Sequence, residues 1–392
     1  MIRPTVARVD LQAIRSNLHA LNDLLGSGPD FGKNRKIVVR PPPGVIAVVK
    51  ANAYGHGAGQ VALALEDAGA SMLACADIEE GIALRRAGVR APILVFGALS
   101  VSDLDGIFAH DLTPTISTPS AARAVEAAAA RHKTRLRCHL KIDTGMNRLG
   151  FRHDNLRRTL PELFASPNLR LHAVYTHFAT ADIPGSEIFP EQRARFEEAL
   201  RVVGELSRPA NAGAQERVLR HAANSAALLR DSRVWYDVVR PGLLLYGIVP
   251  PPLASTMALR PVMSLTSRVV AVKGLRPGEG VGYGLRYRTD APASIAVIPA
   301  GYADGLDTRL SGRGSVLIRG RRVPVVGSVC MDMMMADVTG VDVSPGDEVV
   351  ILGEQGSETW QRIDAREMAA AIGTIPWEIV CRIGTRIERE YS

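Results

Sequence analysis

Between residues 44 and 247 the chain repeats one unit, a short run rich in Val, Ile and Leu followed by an Ala-rich stretch with helical spacing of its apolar positions. This is the pattern of βα units and a parallel sheet. Eight runs qualify as strands: GVIAVVK, MLACAD, APILVFG, LTPTIS, RLRCHLKID, LRLHAVYTHF, VLRHAANS and DVVRPGLLLYG. Helical candidates between them include GQVALALEDAG, IEEGIALRRAG, SAARAVEAAAARH and EQRARFEEALRVVGEL. Eight such units in about 200 residues predict a closed (β/α)8 barrel rather than an open doubly wound sheet.

A chain of 392 residues exceeds what one core usually serves, so a second domain is expected. The stretch PPPLASTMALRP at 250 to 261 carries four prolines and breaks the alternation. The reading is a barrel domain over 1–257 and a β-rich domain over 258–392. The second holds MSLTSRVVAVKGL, SIAVIPAGY, SVLIRGRRVPVVGSVCM and DEVVILG, with little helix before DAREMAAAIG. Ahead of the barrel, DLQAIRSNLHALNDLLG reads as a helix with Asp10 as its N-cap. The Pro-, Gly- and charge-rich GSGPDFGKNRKIVVRPPPG that follows it reads as an exposed loop.

With 46% apolar and 22% charged residues the chain is not a disordered one. Its net charge of +7 comes from bases interleaved with acids, as in EGIALRRAG and RIERE, so a nucleic-acid partner is not expected. Cys75, Cys138, Cys330 and Cys381 are far apart and form no CxxC pair, which suits a reducing compartment. No signal-like segment and no run of about 20 apolar residues is present. The expectation is a cytoplasmic protein with no membrane partner.

Function in such a barrel belongs at the carboxyl ends of the strands. Reactive residues fall there. Lys50 closes strand one, Asp143 to Arg148 follow strand five, and His177 closes strand six. His221, Asn224 and Ser225 close strand seven, and Arg240 with Gly242 closes strand eight. A strand-end lysine is commonly a solvated cation, but a desolvated one has the depressed pKa that Schiff-base chemistry needs. The loops after strands seven and eight are where barrels commonly bind phosphate, and Ser225 and Gly242 suit that use. A strand-one lysine with such a cradle suggests pyridoxal phosphate. His56, His139, Cys330 and Asp332 lack metal-ligand spacing, HEXXH is absent, and no GxGxxG follows a strand, so neither a metal nor a nucleotide cofactor is expected.

AVVKANAYGHGA closely resembles the cofactor-lysine signature of the alanine racemases. The similarity continues through KIDTGMNRLG, AVYTHFATAD, HAANSAA, VVRPGLLLYG, VGYG, PAGYADG and VGSVCMDMMM, over nearly the whole chain. It implies that Lys50 holds pyridoxal phosphate as a Schiff base and serves as base on one face of the substrate Cα, with Tyr283 on the other. Racemisation needs such a pair, since a proton leaves one face and arrives at the opposite one. A tyrosine near pKa 10 is a poor base unless its phenolate is stabilised. The resemblance implies a hydrogen bond to it from His221, itself linked to Arg240.

The same resemblance makes Arg240 the partner of the cofactor ring nitrogen and places His177 beside the ring. It gives Tyr54, Ser225, Gly242 and Leu243 to the phosphate, with Asn224 in the same cofactor-binding set. Arg148 and the Met331 backbone meet the substrate carboxylate. Lys141 matches a lysine often carbamylated in the family, which would orient Arg148. Tyr302, Asp182 and Asp332 match residues lining the entry. Thr385 stands where some members place a phosphate-binding tyrosine and is left out of the set. The family builds each site from two subunits, so a homodimer acting on a small amino acid, L- and D-alanine, is expected, making D-alanine for peptidoglycan.

Three other readings remain open on sequence. Barrel decarboxylases of basic amino acids share the two-domain plan, but VGYG and Arg240 favour racemisation. A non-catalytic pyridoxal-phosphate carrier shares the barrel alone and leaves 258–392 without a purpose. Broad-spectrum racemases share the chemistry and are usually exported.

Overall fold

The structure is a computed structural model that describes residues 4–27, 41–99, 103–207, 217–356 and 360–392. Most of the loop before the first barrel strand lies outside the described residues. The eight strands Gly44–Val48, Met72–Cys75, Ile93–Val95, Leu112–Ile116, Leu136–Asp143, Leu169–Tyr175, Leu219–Asn224 and Val238–Arg240 each pair in parallel with the next. The ring closes where Val238 pairs with Gly44. All eight are the segments read from the sequence.

Several helices begin where a short polar side chain takes an orphan backbone N–H. Asp10 accepts from the Ala13 amide at 2.7 Å and starts Leu11–Gly26 as expected. Asp77 and Thr118 do the same for Ile78–Arg86 and Pro119–Arg131. The barrel core runs through Val45, Ala47, Leu73, Ile93, Leu140 and Val239 and out to the helices at Leu18, Leu65, Val125 and Phe196. Burying each large apolar side chain contributes roughly 1.5–3 kcal/mol.

A mostly antiparallel sheet follows, built from Met263–Arg268, Ala271–Leu275, Ala293–Ile298, Ser315–Ile318, Arg321–Val326, Met334–Asp337 and Glu348–Gln355. It has its own core around Leu265, Ile298, Leu317, Ala336 and Val350. One element departs from the sequence reading. Val6–Val9, placed there with the barrel, pairs antiparallel with Met263–Arg268 and parallel with Glu388–Tyr391, so both chain ends belong to the second sheet. Four residues of VARV carry no signal of which distant strands they will pair with, because the choice is made by long-range contacts. Among the described residues, no helix is long and apolar enough to cross a membrane.

Candidate active site

The chain leaves the first barrel strand into an unusual turn. Ala51, Asn52, Ala53 and Tyr54 all have φ between 50° and 54°, a left-handed turn made without glycine. Each such residue costs about 1–2 kcal/mol, and strain of this kind gathers at functional sites. Specific bonds hold it. The Ala51 amide donates to Glu80 Oε1 at 2.6 Å, and the Ala58 amide to Asn52 Oδ1 at 2.8 Å. Tyr246 donates to the Val48 carbonyl at 3.0 Å.

The second domain braces the turn from behind. Gly55 has φ 82°, and a Cβ there would collide with the Val380 carbonyl. Arg389, on the last strand, donates from Nε to the Gly55 carbonyl at 3.1 Å. Lys50 opens this turn. Burial, and then repulsion from Arg148, pulls its amine below the ordinary lysine value.

Lys50, Lys141, Arg148 and Arg240 all act on His177, which burial and these four charges hold neutral, well below its ordinary pKa. Lys141 is 5% exposed and is pulled down to about 8 by burial, then by Arg148 and Arg240. Asp143 Oδ1 accepts from the amides of Gly145, Met146 and Asn147 at 2.9, 2.9 and 3.1 Å, which shapes the loop carrying Arg148. So many cations at one barrel mouth make a site for an anionic ligand.

Arg240 is 3% exposed. Its Nη2 donates to the carbonyls of Thr176 and Ala222 at 2.7 and 3.0 Å, and Nη1 to His221 Nδ1 at 2.8 Å. Burial lowers its pKa to about 10, so it stays charged at neutral pH. Its Nε makes no hydrogen bond among the described residues. The expected bond from His221 to Tyr283 is corrected here. His221 is fully buried, and its second nitrogen, Nε2, is 3.1 Å from His139 Nδ1, which leaves it no capacity for a tyrosine.

A cradle joins strands seven and eight. Asn224, not Ser225, caps the helix Ser225–Arg230, accepting from the Ala227 amide at 2.9 Å. The Ser225 hydroxyl is thereby free to accept from the Gly242 and Leu244 amides at 3.0 and 3.4 Å. Tyr54 lies directly against Gly242, and the Leu243 amide makes no hydrogen bond among the described residues.

Among the described residues no hydrogen bond or ion pair joins Tyr283, Tyr302, Met331 or Asp332 to Lys50. Tyr283 is 76% exposed, on a loop where Ser328 donates to its carbonyl at 2.9 Å. Met331 and Tyr302 are also exposed, and the Tyr302 amide donates to the Cys330 carbonyl at 2.9 Å. Asp332 pairs with Arg386 at 2.7 Å, while Asp182 lies half-buried in the loop after strand six. Among the described residues no group of three His, Cys, Asp or Glu could hold a metal ion.

Sequence reasoning missed Glu80, His139, Thr176 and Arg389. Only His139 left a signal. It shares the inward face of strand five with Lys141, two residues away.

The family profile "Alanine racemase, N-terminal domain" matches residues 9–250, and "Alanine racemase, C-terminal domain" matches 262–391. A protein named alanine racemase from Halothermothrix orenii is 39% identical over 392 residues, covering 100% of this chain and 97% of that protein. The crystal structure of alanine racemase from Streptomyces lavendulae superposes with a TM-score of 0.89 at 33% identity, covering 100% of this chain and 97% of that one. One from Bartonella henselae with covalently bound pyridoxal phosphate gives 0.82 at 26%, covering 99% of each.

Proposed function

The chain belongs to the alanine racemase family and interconverts L- and D-alanine with pyridoxal phosphate, and we propose that Lys50 and the Tyr283 of a second copy carry the proton. The observation that carries this reading is the depressed amine of Lys50, set on a strained turn at the barrel mouth that also holds the phosphate cradle.

The residues present fit the cofactor. Tyr54, Ser225 and the amides of Gly242 and Leu243 would hold its phosphate, with Asn224 alongside. Lys50 would bond its carbonyl carbon, His177 would flank the ring, and the free Nε of Arg240 would meet the ring nitrogen. When bound, pyridoxal phosphate acidifies the substrate Cα–H by delocalising the electron pair left behind.

A guanidinium cannot give up its proton, so Arg240 leaves the ring nitrogen unprotonated and moderates that delocalisation. Arg148 and the Met331 backbone bind the substrate carboxylate, and Lys141, once carbamylated and so anionic, orients Arg148. The Lys50 amine takes or returns the Cα proton on the barrel side, and the Tyr283 hydroxyl does so on the other face. With His221 fully committed, the hydrogen-bond partner for the Tyr283 oxygen falls to His177, whose ring is otherwise unpartnered among the described residues. Tyr302, Asp182 and Asp332 line the way in.

Exposure supports the second copy. Tyr283, Leu285, Tyr302, Met331 and Met333 are 44 to 76% exposed, although a base at a carbon acid must work away from bulk water. A head-to-tail homodimer seats this edge on its partner's barrel mouth, reciprocally. In the cytoplasm such an enzyme supplies D-alanine for peptidoglycan. Borohydride reduction of the holoenzyme followed by peptide mapping tests the anchor. The cofactor mass is expected on the peptide containing Lys50, and its appearance on any other lysine overturns the reading.

A further inference from the structure

His139 is 2% exposed, and nothing in the proposed chemistry uses it. Its Nδ1 is 3.1 Å from His221 Nε2, and His221 Nδ1 is 2.8 Å from Arg240 Nη1. A guanidinium only donates, so the direction of each bond follows. Arg240 donates to His221 Nδ1. The single proton of neutral His221 is therefore on Nε2 and is donated to His139 Nδ1, which leaves the proton of His139 on its own Nε2. Both rings are neutral: burial first, then their positive neighbours, pulls His139 to about 3 and His221 well below its ordinary value. The line ends in the barrel core. His139 Nε2 is buried without a hydrogen-bond partner among the described residues, and His139 lines a cavity of about 100 Å³ with Ser71, Thr113 and His172.

We propose that His139 is a positioning residue for racemisation: by accepting from His221 Nε2 it holds the His221 ring where Nδ1 accepts from Arg240, and so aims the Arg240 Nε at the cofactor ring. The inference rests on the reading that Arg240 faces the ring nitrogen. Without an acceptor at position 139, the His221 Nε2–H is left buried and unpaired, the ring is no longer held on that side, and the guanidinium that donates to its Nδ1 loses its aim. Substrate binding does not pass through this line, so the effect falls on kcat and on the cofactor's electronic spectrum.

The test uses holoenzyme labelled with 15N-histidine. Long-range proton–nitrogen spectra are expected to show both rings protonated at Nε2 and bare at Nδ1. His139→Leu is expected to lower kcat about tenfold, the cost of one unpaired buried donor, with KM within about twofold of wild type and a shifted absorbance maximum of the bound cofactor. His139→Asn, whose Oδ1 stands where Nδ1 stood, is expected to restore both. A proton on Nδ1 of His221 in the wild type overturns the proposal. So does a folded His139→Leu with wild-type kcat and spectrum, or equal loss in the Leu and Asn variants. If His139→Leu does not fold, the wild-type tautomers decide. Attachment of the cofactor away from Lys50 would leave those tautomers unchanged, so the two readings fail separately.

Discussion

The Tyr54 ring lies so close over Gly242 that a Cβ on the glycine would stand 2.5 Å from the tyrosine hydroxyl oxygen. The backbone at Gly242 has φ −114°, so space rather than a left-handed conformation demands the glycine. Gly242→Ala is therefore expected to push Tyr54 out of the cradle and raise the Kd for pyridoxal phosphate about tenfold or more, the worth of one strong hydrogen bond. Fluorescence titration of the apoenzyme measures it, and an unchanged Kd would show that Tyr54 does not hold the phosphate.

Lys141 carries a second expectation. With its pKa pulled to about 8, roughly a tenth of its amine is neutral at pH 7, far more than for a free lysine near 10.4. Carbamylation joins the neutral nitrogen to the carbon of CO2 and releases a proton to water. At fixed CO2 pressure the modified fraction should rise as pH climbs from 6 toward 8, because the protonated amine does not react. A 13C carbamate resonance from protein equilibrated with 13CO2, lost in Lys141→Met, is the measurement. A signal that survives the substitution places the carbamate elsewhere.

The exposure of Tyr283 predicts complementation. Lys50→Ala and Tyr283→Phe are each expected to be inactive as homodimers. After subunit exchange, half of the dimers are mixed, and each mixed dimer holds one intact site of two, so about one quarter of wild-type activity should return. A site built within one chain gives no return on mixing.

The barrel was legible because short runs rich in Val, Ile and Leu alternate eight times with stretches of helical spacing, and the strand-end positions of Lys50, His177 and Arg240 follow from that count alone. The left-handed turn was not. Of Ala-Asn-Ala-Tyr only Asn52 tolerates positive φ readily; the bonds from Ala51 to Glu80 and from Arg389 to Gly55 hold the rest there, across 29 and 334 residues of sequence. Val6–Val9 was misplaced for the same reason. The His221 error had a different origin. A sequence shows that a histidine closes a strand but not that both its nitrogens are committed, here to Arg240 and His139. Asn224 and Ser225 show how finely such roles divide, since one residue's cap leaves its neighbour's hydroxyl free for the cradle.

The central claim is that two groups serve opposite faces of one carbon. The most direct test follows Cα–H exchange and optical rotation of L- and D-alanine, each incubated separately in deuterated water with wild-type protein and with Tyr283→Phe. The wild type should invert and label both enantiomers. Tyr283→Phe should stop inversion, while Lys50 continues to exchange the proton of one enantiomer only. Inversion of both enantiomers by Tyr283→Phe at the wild-type rate would contradict the two-base account.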